Sequence, residues 1–150
     1  MSSVDIDRGS DLWKTCVHEA GHVIIREKYG FVVTKITIKG PNRGWVDFDA
    51  PRRLMHKGDF KSKEVWRYHG VACLAGFAAA EKLQWFFPPG GCETDEERAE
   101  YAAEMGGVSV STIRRVARSD ISRNWKHVQA QAEKIYQGAI ASGIKKNSWW

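Results

Sequence analysis

The sequence predicts an α+β domain that is mainly helical, with a motif-bearing helix packed beside a small β-hairpin or sheet and a helical C-terminal half. Three observations carry this expectation. Trp13, Cys16, Val17, Ala20 and Ile24 recur at helical spacing and make one apolar stripe over about residues 11–29. The next ten residues, FVVTKITIKG, alternate between two faces and are rich in β-branched side chains, as in a strand. From residue 61 onward, segments of helical character are separated by glycine and proline breaks. The 150 residues are enough for one domain with a real core.

Taken in order, residues 1–9 read as a loose leader. Ser10 is placed to cap the first helix and Gly30 to stop it. In the strand that follows, Val33, Lys35 and Thr37 alternate with Thr34, Ile36 and Ile38. Gly40-Pro41-Asn42-Arg43-Gly44 is a turn, and Trp45-Val46-Asp47-Phe48 a short returning strand. Residues 50–60 carry Pro51, Gly58 and many charges and read as a loop. Residues 61–86 read as mostly helical, and the small-residue run AGFAAAEKL suggests close packing against another helix. Pro88-Pro89-Gly90-Gly91 breaks that helix. Thr94 or Asp95 opens another, which runs to about Met105 before Gly106-Gly107. Residues 109–142 read as one long helix or two shorter ones, and 145–150, ending in Trp149-Trp150, as a loose tail.

Composition narrows the class. Hydrophobic residues make up 43% and charged residues 27%, ordinary values for a soluble globular protein. No stretch approaches the roughly 18 apolar residues that span a bilayer, so no membrane partner is expected. The N-terminus lacks an apolar signal region. Cys16, Cys73 and Cys92 are widely spaced, which fits a reducing compartment and a cytoplasmic location rather than a disulfide framework. Net charge is 23 − 18 = +5. Part of the excess is local, in Arg114, Arg115, Arg118, Arg123 and Lys126. Without a nucleic-acid motif this cluster reads as a solvated helix face, and a nucleic-acid partner is not expected. Nothing in the sequence determines an oligomeric state.

The most informative feature is His18-Glu19-Ala20-Gly21-His22, an H-E-x-x-H pattern on the first helix. Residues four apart lie about 40° apart around a helix, so both imidazoles leave from one face and reach one Zn²⁺. Glu19 is offset by about 100°, which places its carboxylate beside a water on that metal without making it a ligand. Gly21 is a poor helix former, and its missing side chain lets another backbone or a substrate come close.

A hydrolytic zinc centre usually has three protein ligands. A histidine six residues beyond His22 is excluded, because that position is Lys28. Two sources stay open: Glu81 on the following helix, and the segment Cys92, Glu93, Asp95, Glu96 at a helix start, where an aspartate also serves merely as a cap.

Three blocks resemble the peptidase domain of the FtsH proteases, the M41 zinc metallopeptidases: HEAGH at 18–22, VTKITIKGPNRG at 33–44 and GGCETDEERAEYA at 90–102. The resemblance covers about residues 12–105. It implies a zincin-like fold, Zn²⁺ as cofactor, His18, His22 and Asp95 as ligands, and Glu19 as general base. The family's Gly-Arg-x-Ala-Glu becomes Gly76-Phe77-Ala78-Ala79-Ala80-Glu81 here, with Phe77 in place of the arginine and the glutamate one position later. Thr94 stands where the family has an asparagine. The family's ATPase module and membrane helix have no counterpart in these 150 residues, so ATP-independent action is expected.

The expected function is hydrolysis of peptide bonds in unfolded or flexible polypeptides. The strand edge at Ile36, Thr37 and Ile38 is the candidate surface on which an extended peptide adds by backbone pairing. The alternative is a non-catalytic zincin-like module with structural zinc and a basic helical surface for a protein or nucleic acid. Glu19 argues against it, since a structural site does not require a base.

Overall fold

The computed structural model describes residues 5–85 and 92–148, with the backbone alone at 92 and 93. Helix α1 (Asp11–Lys28) is followed by strands β1 (Val32–Gly40) and β2 (Arg43–Asp49) and a 3-10 turn (Arg52–Leu54). Strands β3 (Met55–His56) and β4 (Asp59–Phe60) precede helices α2 (Lys63–Lys82), α3 (Cys92–Gly106), α4 (Val110–Arg123) and α5 (Trp125–Ala141). The architecture is α+β and mainly helical, as the periodicities predict.

Local chemistry sets the ends of α1. Ser10 Oγ accepts a hydrogen bond from the Trp13 amide at 3.1 Å. At the other end Gly30 adopts φ +87°. Its amide donates to Glu27 O and that of Phe31 to Arg26 O, both at 3.0 Å, which closes the helix in a Schellman turn.

Helix α1 is the centre of the molecule. Leu12, Cys16, Val17 and Ala20 are fully buried. On one side α2 crosses so closely that a Cβ on Gly21 would meet Ala75 O at 2.7 Å and Ala79 Cβ at 2.9 Å. This contact explains both Gly21 and the alanine run: only small residues let the two backbones meet. Helix α5 packs on another side, where Tyr136 sets its ring edge-on to Trp13 at 6.2 Å.

Strands β1 and β2 form an antiparallel hairpin with Ile36 opposite Val46, Thr37 opposite Trp45 and Ile38 opposite Gly44. Thr15 Oγ1 of α1 donates to Pro41 O at 2.6 Å and ties the hairpin turn to the motif helix.

Two expectations change, and one open alternative is decided. The segment expected as a loop at 50–60 contains a second small hairpin, closed by Lys57 and Gly58 at φ 51° and 80°. Its two-residue strands are too short to show alternation in a sequence. The leader and tail are tied down where they are described. The Asp7 amide donates to Tyr136 Oη at 3.2 Å, Arg8 pairs with Glu133 at 2.8 Å, and Lys146 O accepts from the Leu12 amide at 2.9 Å. The C-terminal stretch is two helices, divided at Asn124. The expected break at 88–91 and the Trp149-Trp150 end lie outside the described residues.

Candidate metal centre

The two motif histidines project from the buried face of α1, with 7% and 8% of their surfaces exposed. Their Nε2 atoms are 3.3 Å apart. Asp95, on the first turns of α3, brings Oδ2 to 3.2 Å from His22 Nε2 and 3.7 Å from His18 Nε2. Two ligands on a tetrahedral ion with bonds of about 2.0–2.1 Å lie about 3.3 Å apart. The triangle His18 Nε2, His22 Nε2, Asp95 Oδ2 therefore has the dimensions of three corners of a zinc site. Glu19 is next to it: ligand atoms of His18, Glu19 and His22 all lie within 4.8 Å of one another. Glu19 Oε1 stands 3.6 Å from His18 Nε2. Asp95 closes the tighter triangle with both histidines, which leaves Glu19 beside it.

Second contacts orient the donors. His22 Nδ1 lies 2.8 Å from Ala72 O of α2, so this nitrogen carries the proton and Nε2 is free to face the site. His18 Nδ1 and Glu19 Oε2 are buried and have no partner among the described residues. A buried carboxylate oxygen without a donor is costly, and a water held in the site would supply that donor. The donor set, its spacing and this orphaned oxygen fit a Zn²⁺ ion.

The charges are coupled. Burial works against the His22 imidazolium, but the Asp95 carboxylate beside it prevails and raises its pKa to about 9. Burial likewise works against the Asp95 carboxylate, and the two imidazoles hold its pKa well below the ordinary range.

The floor of the site is Gly76 of α2. A Cβ there would lie 2.4 Å from His22 Nε2 and 2.7 Å from His18 Nε2. In front of the site is a cleft of about 420 Å³. Its walls include Thr15 and Arg26 of α1, Arg43 to Val46 and Phe48 of β2, Trp85, and Thr94, Asp95 and Arg98 of α3.

The expected residues divide accordingly. His18, Glu19, His22 and Asp95 come together. Ile36, Thr37 and Ile38 do not: they line a separate groove between β1 and α5, with Gln131, Ile135 and Ile144. A two-stranded hairpin has two free edges, and the one along the cleft belongs to β2. Gly44 marks the approach, since a Cβ there would come within 3.3 Å of Glu19 Cγ. Glu81 is engaged elsewhere, in a two-pronged pair with Arg118 of α4 at 2.9 and 3.0 Å. Arg114 pairs with Glu96 at 2.8 Å, so two of the five clustered cations are already matched. The side chain of Cys92 lies outside the described residues.

Sequence reasoning missed Gly76, Arg26, Trp45 and Arg98. A signal existed for two of them. Arg26 follows His22 by four positions and so shares its face of α1, and Arg98 follows Asp95 by three.

The candidate centre is thus a helix-borne histidine pair completed by an aspartate from a later helix. Comparison of the chain with family models, with curated proteins and with solved structures finds no match.

Proposed function

We propose that this protein is a zinc-dependent metallopeptidase acting on unfolded or flexible polypeptides, with a centre similar to that of the FtsH peptidases. The observation that carries the reading is the 3.2–3.7 Å triangle of His18, His22 and Asp95 with the unpartnered Glu19 carboxylate oxygen at its side.

When bound, Zn²⁺ supplies Lewis acidity and lowers the pKa of a water to about 7. His18, His22 and Asp95 hold the ion, and Ala72 O fixes the tautomer of His22. Glu19 takes a proton from the attacking water and returns it to the leaving amine nitrogen. The free edge of β2 pairs with an extended peptide, which demands a substrate that is already unfolded.

The test is digestion of a flexible protein with and without a chelator, products read by mass spectrometry, beside the Glu19→Gln variant. Expected are chelator-sensitive cleavage and a Glu19→Gln protein that keeps its zinc while activity falls about 10²–10⁴-fold. Activity within a few-fold of wild type in Glu19→Gln would remove Glu19 from the proton transfer. Absence of any cleavage by the zinc-loaded wild-type protein would overturn the reading.

A further inference from the structure

Arg26 is 4% exposed and yet meets no carboxylate at ion-pair distance among the described residues. Its partners are neutral or aromatic. Nη1 lies 2.8 Å from His69 Nδ1, and Nη2 donates to Cys73 Sγ at 3.6 Å. The guanidinium carbon sits 3.6 Å from the centre of the Phe48 ring. His69 is held uncharged, its pKa pressed down to about 3 by burial and then by Arg26 and Arg98. Burial keeps the Cys73 thiol protonated. A buried cation with only neutral partners is costly unless something neutralises it.

Arg98 adds a second positive charge at the same end of the cleft. It lies close enough to disfavour a positive charge on both Arg26 and His69. It forms no ion pair among the described residues. The nearby carboxylate that both could use, Asp95, is already turned to the two histidines. The cleft walls carry three arginines, 26, 43 and 98, against Glu19 and Asp95, and a bound metal ion would add further positive charge. Arg26 stands one helical turn, about 6 Å, along α1 from His22, a span of about two residues in an extended peptide.

Resting on the metallopeptidase reading, we propose that Arg26 and Arg98 form a carboxylate-recognising subsite that selects polypeptides with an anionic group within about two residues of the scissile bond. The carboxylate comes either from an Asp or Glu side chain or from the chain's C-terminus. Arg98, which is exposed, meets it first. Arg26, stacked on Phe48 and fixed by His69, presents its remaining N–H groups in a set direction.

The experiment measures binding to the zinc-loaded Glu19→Gln protein by calorimetry, so turnover is not needed. One arm compares C-terminally amidated pentapeptides that differ only in Glu or Gln, scanned through each position. The other compares an all-neutral pentapeptide with a free or an amidated C-terminus. The expected result is one carboxylate position bound about tenfold more tightly than its neutral counterpart. In Arg98→Gln the preference falls to within about threefold with zinc content unchanged, and Arg98→Lys restores part of it. Arg26→Gln, checked for folding, behaves as Arg98→Gln does. Equal binding of all charged and neutral pairs would overturn the proposal. So would a preference that survives both glutamine variants, which would assign the carboxylate to the metal alone. Failure of wild-type turnover, with the arginine-dependent preference intact, would instead overturn the peptidase reading.

Discussion

Gly76 lies directly beneath His22, where a Cβ would stand 2.4 Å from Nε2 and only slightly farther from Nε2 of His18. The placement of both Nε2 atoms therefore depends on the missing side chain of a residue on another helix. Gly76→Ala is expected to weaken zinc at least about tenfold by displacing both imidazoles. Gly138 in α5 is the control, because a Cβ there meets nothing within 4 Å. Gly138→Ala should keep zinc and gain about 0.5–1 kcal/mol of stability. Titration against a chelating dye, with thermal melts, reads both quantities.

The ligand triangle predicts graded losses. The purified protein should hold about one Zn²⁺ per chain. His18→Ala and His22→Ala should abolish tight binding, and Asp95→Ala should weaken it markedly. Metal analysis after dialysis checks this. Full retention of zinc in Asp95→Ala would remove Asp95 from the site.

The proposed zinc ion and a proton would compete for His22. The raised pKa, about 9 against an ordinary 6.5, means that the metal-free protein keeps this imidazole charged at pH 7. The resulting stabilisation is full below about pH 6.5 and is lost as pH rises through about 9. Zinc binding at pH 7 should therefore release about one proton from His22. Calorimetry in buffers of different ionisation enthalpy measures it. Release near zero would mean the imidazole is already neutral.

His69 shifts the opposite way. Its folded pKa, about 3, lies below the unfolded 6.5, so the folded state resists taking up a proton. Between these values the unfolded chain binds the proton and the native one does not, and stability falls as pH falls from about 6.5 toward 3. His69→Gln keeps an acceptor for Arg26 and cannot titrate. It should reduce the stability difference between pH 7 and pH 4 by roughly 3 kcal/mol. Urea melts at the two pH values test this.

The two hairpin edges should separate in function. Trp45 of β2 lines the cleft, whereas Thr37 of β1 lines the groove against α5. Trp45→Ala is expected to lower kcat/KM for a flexible substrate several-fold with zinc intact. Thr37→Ser should leave cleavage unchanged. The reverse pattern would return the substrate to β1. A stably folded domain should survive digestion without ATP, since pairing on an edge requires an extended chain.

What the sequence alone determined is what a few neighbouring residues decide. Helix geometry brings His18 and His22 to one face, the Ser10 hydroxyl reaches the amide three residues on, and Gly30 takes the left-handed turn. The β-branched run makes β1, and the glycine and alanine positions announce a close helix crossing. The tertiary structure decided what depends on rotation and on distant chain segments. Five positions separate Gly76 from Glu81, about 140° around α2. With Gly76 under the histidines, Glu81 must point elsewhere, and it reaches Arg118. Likewise a hairpin's alternation is the same whichever edge faces the cleft, so only the packing of the hairpin on α1 could choose β2. Asp95 and Arg26 follow the same logic, because a charge is a cap, a surface group or part of a site according to what the fold sets opposite it.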